Sequence, residues 1–140
     1  MSEFIISCCS TADLSAEHFA SRNIHYIPFH FSLNDTTYPD DLGQSISFPD
    51  FYQAMRDGAD TKTSQVNQGE YIAYFTPFLE QGKDILHVSL SGGLSGTYNL
   101  TRLVGEECGE RVMMRVYDSR SGALGLGMTV LQLAEDIEQG

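Results

Sequence analysis

The strongest constraint on how this chain folds is an alternation. Three short apolar runs, EFIISC at 3–8, DILHVSL at 84–90 and VMMRVYD at 112–118, are each followed by a loop of small polar residues and then by a helical stretch. Apolar runs of that length, bounded by turn residues, read as buried strands. A fourth β-rich run, IHYIPFHFSL at 24–33, contains Pro28, which argues for an edge strand or a bulge. Strands separated by helices are joined by crossovers and pair in parallel. The expected class is therefore α/β, a mainly parallel sheet with helices on both faces, in the order β-α-β-α-α-β-α-β-α.

The helices carry their own signals. Asp13 or Ser15 fits the cap of a helix with Phe19 on its apolar face. In SFPDFYQAMRDG, Ser47 fits the N-cap, Pro49 the first turn and Gly58 the end, with Phe51, Tyr52 and Met55 as an apolar stripe. QGEYIAYFTPFLEQG has Tyr71, Tyr74, Phe75 and Phe78 on a broad face, and Pro77 is expected to kink or interrupt it. The stretches NDTTYPDDLGQS and ADTKTSQVN read as polar loops.

In a parallel sheet, ligands sit beyond the carboxyl ends of the strands. The loops CSTAD, SGGLSGT and DSRSG all follow strands, so Ser10, Ser95, Asp118 and Ser119 are expected at one edge. SGGLSGT lacks the lysine of a nucleotide phosphate loop and does not match GxGxxG, yet backbone N–H groups at a helix start suffice for a generic anion site. It also misses GxSxG, because Thr97 stands where the second glycine belongs. A Ser95–His87–Asp118 set is conceivable, but His87 lies among apolar residues and reads more readily as a core histidine.

Composition excludes several classes. With 140 residues, eight Lys and Arg and a net charge of −11, the chain lacks the basic footprint of nucleic-acid binding. No apolar run approaches the ~20 residues of a membrane span, and the start lacks the pattern of a secretory signal. Cys8, Cys9 and Cys108 form no CxxC, and the four histidines have no ligand spacing. The expectation is a cytoplasmic protein without a metal or cofactor.

Taken in order, STAD, the loop and helix with FY, TSQ, SGGLSGTY and DSRSGALGLG resemble the DegV family along essentially the whole chain. TSQ followed by GLSGT about thirty residues later is the specific part. The family's opening usually reads T-D-S-T-A-D, whereas here Cys8 and Cys9 precede Ser10. The resemblance implies two α/β domains with a fatty acid bound between them, presented to a separate ATP-using fatty acid kinase subunit. It implies that Thr63 and Ser95 hold the acyl carboxylate and that Ser64, Gly96 and Thr97 line the same end. Backbone N–H groups at the start of the following helix are expected to assist Ser95. The resemblance further implies that residues 1–140 correspond to the first domain, that the second is missing, and that the uncovered face favours self-association. On this reading the chain is a binding subunit without catalytic residues of its own. The alternatives are an enzyme acting on a small phosphorylated or carboxylated metabolite at the same strand edge, and a regulatory interaction domain.

Overall fold

The structure, a computed structural model, describes residues 4–108 and 113–140. The strands are β1 (Phe4–Cys9), β2 (Ile24–Ile27), β3 (His30–Leu33), β4 (Thr36–Pro39), β5 (Thr61–Ser64), β6 (Asp84–Ser89) and β7 (Met114–Asp118). The helices are α1 (Ala16–Ser21), α2 (Phe48–Arg56), α3 (Gln68–Glu80), α4 (Thr97–Cys108) and α5 (Ala123–Gln139), with a 3-10 turn at Ser10–Ala12. Glu3 and Val112, expected as the first residues of two strands, lie outside the described residues.

Strands β2, β1, β6 and β7 form a wholly parallel sheet in that spatial order. Because side chains alternate along a strand, the sheet carries a core on each face. Ile6, Cys8 and Val88 point to one side and pack with Phe19 of α1 and Leu126, Val130 and Ala134 of α5. Ile5, Cys9 and Ile85 point to the other and pack with Tyr71 and Phe75 of α3 and Val104 of α4. The expected helix-covered parallel sheet is thus observed, with α1 and α5 on one face and α3 and α4 on the other.

One position fixes how closely α5 approaches. A Cβ on Gly127 would lie 2.4 Å from the Ala12 carbonyl oxygen, so only glycine lets the helix press against the 3-10 turn. That contact anchors the loop after β1.

The second core also holds polar groups. His87 is fully buried, with Nδ1 3.0 Å from Ser7 Oγ, which lies 2.8 Å from Tyr74 OH. Burial pushes the imidazole down to about 3, so it is neutral at ordinary pH. Tyr71 OH meets Cys9 Sγ at 3.5 Å. His87 is a satisfied core histidine that ties β1, β6 and α3 together.

Three expectations need correction. The run 24–33 is not one strand: Pro28 and Phe29 break it, leaving β2 at the edge of the parallel sheet and β3 in a separate antiparallel sheet ordered β4-β3-β5. The two stretches read as polar loops supply β4 and β5, whose pairing with β3 overrides their polar composition. Helix α3 continues through Pro77 to Glu80. Proline there removes one backbone bond close to the helix end, while the burial of Tyr71 and Phe75 and an Asn67–Glu70 capping box hold the rest.

Capping follows the sequence closely elsewhere. Ser15 and Ser47 accept from the backbone N–H groups of His18 and Asp50. Asp13 instead adopts a left-handed conformation after the 3-10 turn.

Candidate functional site

The parallel register puts the carboxyl ends of β1, β6 and β7 on one edge, so the loops holding Ser10, Ser95 and Ser119 share it. Beside this edge stands the antiparallel sheet. Register pairs Thr63 with Phe31 and Ser64 with His30, which carries the TSQ segment toward the loop after β6. Between the two lies a cavity of about 550 Å³, within the ~300–1,000 Å³ of small-molecule sites.

Two kinds of surface line it. One is polar: Thr63, Ser64 and Gln65 from the end of β5, with Ser95 and Thr11 from the strand-edge loops. The other is apolar: Phe29, Phe31, Ile46, Phe48, Phe51 and Tyr52, with Leu90 and Leu94. Phe31 stacks on Tyr38 at 5.5 Å and meets Phe51 edge-on at 5.1 Å, which fixes α2 against the antiparallel sheet. Helix α2 buries no residue fully, so its apolar stripe faces the cavity and solvent instead of a core. Leu94, 70 % exposed, stands at the cavity mouth.

The hydroxyls form a connected group. Ser95 Oγ lies 2.9 Å from Thr97 Oγ1 and donates to Gln65 Oε1 at 3.2 Å, while Thr97 N donates to Ser95 Oγ at 3.2 Å. Gln65 Oε1 is also within reach of Thr97 Oγ1, at 3.4 Å, as an alternative to Ser95 for its proton. Gly96 faces the same amide, since a Cβ there would stand 3.7 Å from Gln65 Oε1. Thr97 is buried beneath Ser95.

The glycine-rich turn is already satisfied from within. Gly92 N donates to Asp118 Oδ1 at 3.1 Å and Gly93 N to Ser91 Oγ at 3.2 Å. Arg120 N adds a second bond to Asp118 Oδ1 at 2.9 Å. The backbone donors that the sequence suggests for an external anion are therefore occupied at 92, 93 and 97. Asp118 acts as an internal anion that joins the loops after β6 and β7.

The expected residues thus divide. Thr63, Ser64 and Ser95 line one cavity, with Gly96 and Thr97 beside them. Ser10, Asp118 and Ser119 lie at the same strand edge but do not line it. Ser10 Oγ accepts from Phe29 N at 3.0 Å, and Ser119 Oγ bonds within its own turn to Ser121. Their roles in the structure are to hold loops. Ser95 and His87 are bonded to different partners, so no Ser-His-Asp set forms.

Sequence reasoning missed the aromatic wall, because its residues come from the antiparallel sheet and α2. It also missed Gln65, although TSQ named it. Asp13, Asp40 and Asp41 line the cavity as well. Partial burial and the Asp40 carboxylate raise Asp13 above the usual carboxylate range. For Asp41, burial works upward but hydrogen bonds from Ser45 Oγ, Ser45 N and Gln44 N outweigh it and hold the group low.

The fold and the site define a parallel α/β domain with hydroxyls and an aromatic-walled cavity at its strand ends. The chain belongs to the DegV family: the model described as "Uncharacterised protein, DegV family" matches residues 5–140. A DegV domain-containing protein of Staphylococcus aureus strain COL is 34 % identical over 140 residues, covering all of this chain and 49 % of that protein. The chain therefore spans about half the length of the curated relatives it matches first. Among solved structures, a stearic acid-binding protein from Eubacterium ventriosum superposes with a TM-score of 0.85 at 27 % identity, covering 98 % of this chain and 48 % of that one. A DegV family protein from Thermus thermophilus, described by its fatty acid binding, gives 0.84 at 26 %, covering 99 % and 48 %.

Proposed function

We propose that the chain holds a long-chain fatty acid by its carboxylate and presents it to a separate ATP-dependent fatty acid kinase subunit. The observation that carries this reading is one cavity that joins a hydroxyl group, Thr63 and Ser95, to a wall of aromatic side chains. A carboxylate with a long tail matches both surfaces. The relatives described as binding stearic acid and other fatty acids share the fold that builds this cavity.

The energetics assign different tasks to the two surfaces. Burial gives ~0.8 kcal/mol per CH₂, so a sixteen-carbon tail contributes on the order of 10 kcal/mol before costs. Two hydrogen bonds to a charged group return ~1.5–3 kcal/mol each, against several kcal/mol for desolvating the carboxylate. The tail supplies affinity and the hydroxyls supply orientation. Among the described residues the side-chain partners of Ser95 are an amide and a second hydroxyl, which favours a carrier over an enzyme with its own nucleophile. On this reading the carrier works beside its kinase subunit in the cytoplasm. Separately, no helix of the described residues is long and apolar enough to cross a membrane. Leu94 at the cavity mouth belongs, on this reading, to the face that a further domain or another copy covers.

The test is calorimetric titration of the full chain with a fatty acid and its matched alcohol. Ser95→Ala and Thr63→Ala each weaken acid binding by ~1–3 kcal/mol, since each leaves a carboxylate oxygen short of a donor. Because both act on one group, the double variant need not show the sum. Equal losses for acid and alcohol would mean that these residues shape the cavity without gripping the carboxylate.

A further inference from the structure

We propose that Gln65 is a built-in competitor for the hydroxyl of Ser95, and that its release of that hydroxyl sets the affinity of the site for a carboxylate. The inference rests on the fatty-acid reading above and deepens it. Its starting point is proton counting. A carboxylate only accepts hydrogen bonds, so each serine or threonine that grips it must give its single hydroxyl proton to the ligand. In the structure that proton is directed elsewhere: Ser95 Oγ donates to Gln65 Oε1 at 3.2 Å. Thr97 Oγ1 also has a single proton, and the shorter contact takes it: Thr97 Oγ1 donates to Ser95 Oγ at 2.9 Å, with Gln65 Oε1 at 3.4 Å as its alternative acceptor.

Gln65 Oε1 therefore holds the place of a ligand oxygen. It is a neutral acceptor on the cavity wall, satisfying the donors that a carboxylate needs. When the ligand enters, the Ser95 hydroxyl turns from the amide to the carboxylate. Thr97 Oγ1, within 3.4 Å of Gln65 Oε1, then turns its own proton to the amide, so the amide keeps a partner. Ser95 Oγ keeps accepting from Thr97 N throughout, at 3.2 Å, which holds the oxygen in place while its proton changes direction. Gly96 leaves the amide room to shift, because the nearest atom to a Cβ there is Gln65 Oε1 itself at 3.7 Å. The exchange is one of similar bonds, and the stronger bond to a charged acceptor drives it.

Three replacements separate competition from support. Gln65→Met keeps the length and apolar stem but removes the acceptor, so the Ser95 proton is free for the ligand. Dodecanoic acid should bind about three- to tenfold tighter, the factor that follows from losing one competing neutral hydrogen bond, and 1-dodecanol should change little. Gln65→Glu turns the competitor into an anion that holds both hydroxyls and repels the ligand charge. Acid binding should fall at least about tenfold at pH 7.5 and recover as pH drops through the range where the new carboxyl protonates, while alcohol binding persists. Ser95→Ala should erase the gain seen in Gln65→Met when the two are combined. Circular dichroism and the retained alcohol binding report that each variant is folded. Acid binding that is weaker in Gln65→Met overturns the proposal, for the amide would then support the serine. Acid binding that needs Ser95 but is unchanged in Gln65→Met also overturns it and leaves the fatty-acid reading standing. If the unaltered chain binds acid and alcohol with equal dependence on Ser95, the fatty-acid reading fails and the competitor with it.

Discussion

Acidification should weaken the fold through one buried imidazole. In the folded chain His87 is held at about 3 against an ordinary value of 6.5. Above pH 6.5 it is neutral in both folded and unfolded chains and its contribution is fully present. Between pH 6.5 and about 3 the unfolded chain binds a proton that the folded chain refuses, so stability falls as pH drops. The loss grows by about 1.4 kcal/mol per pH unit and reaches about 2 kcal/mol at pH 5. That is a large part of the roughly 5–15 kcal/mol typical of a domain. His25, lowered by partial burial and by Lys83, adds in the same direction. The assay is urea unfolding at pH 7.5, 6.5, 5.5 and 5.0, with constant m-values as the check on two-state behaviour. His87→Gln keeps a polar partner for Ser7 without a titrating ring. It should be less stable at pH 7.5, yet lose much less between pH 7.5 and 5. If His87→Gln keeps the full acid loss, the sensitivity lies in the carboxylates of this acidic chain and the reasoning is wrong.

Other outcomes follow from single contacts. Gly127→Ala drives a methyl into the Ala12 carbonyl and should cost about 1–3 kcal/mol in urea unfolding, as overpacking does. Asp118→Ala strips the acceptor from Gly92 N and Arg120 N; amide exchange at Gly92 should accelerate, and stability should fall by about 1–3 kcal/mol. Of the three cysteines, Cys8 and Cys9 are buried with raised thiols, so a thiol reagent on the native protein should find Cys108 first and the other two only on unfolding.

The parallel half of the fold was readable because its central strands, β1 and β6, bury both faces. Ile5, Ile6, Ile85 and Val88 must all be apolar, and such runs announce themselves. The antiparallel half gives no such signal. Strand β5 is TKTS, mostly exposed, and it is a strand because β3 offers it a partner. One local cue was present: Leu33 pairs with Thr36 across Asn34-Asp35, with Asn34 at positive φ, a two-residue hairpin turn of a kind that asparagine favours. For the site, the hydroxyls could be named from TSQ and GLSGT. Their aromatic complement could not, since Phe31, Phe51 and Tyr52 meet only after the hairpin folds back and α2 docks on it. The glycine loop read as a receptor for an outside anion because nothing in the sequence says that Asp118, 26 residues away, fills it.

The two sheets share no strand, and the chain passes between them through Pro28 and Phe29. Phe29 is secured at both ends, its N–H on Ser10 and its carbonyl receiving Asp40 N at 2.7 Å. Both hydrophobic cores are built on the parallel sheet and its helices, while the aromatic wall of the cavity belongs to an appendage with little core of its own. Replacements at Phe31, Phe51 or Tyr52 can reshape that wall without disturbing the packing around Val130 or Phe75. Under the proposed reading, the fit to the ligand's tail and the hold on its head group therefore lie on different structural units and can be altered separately.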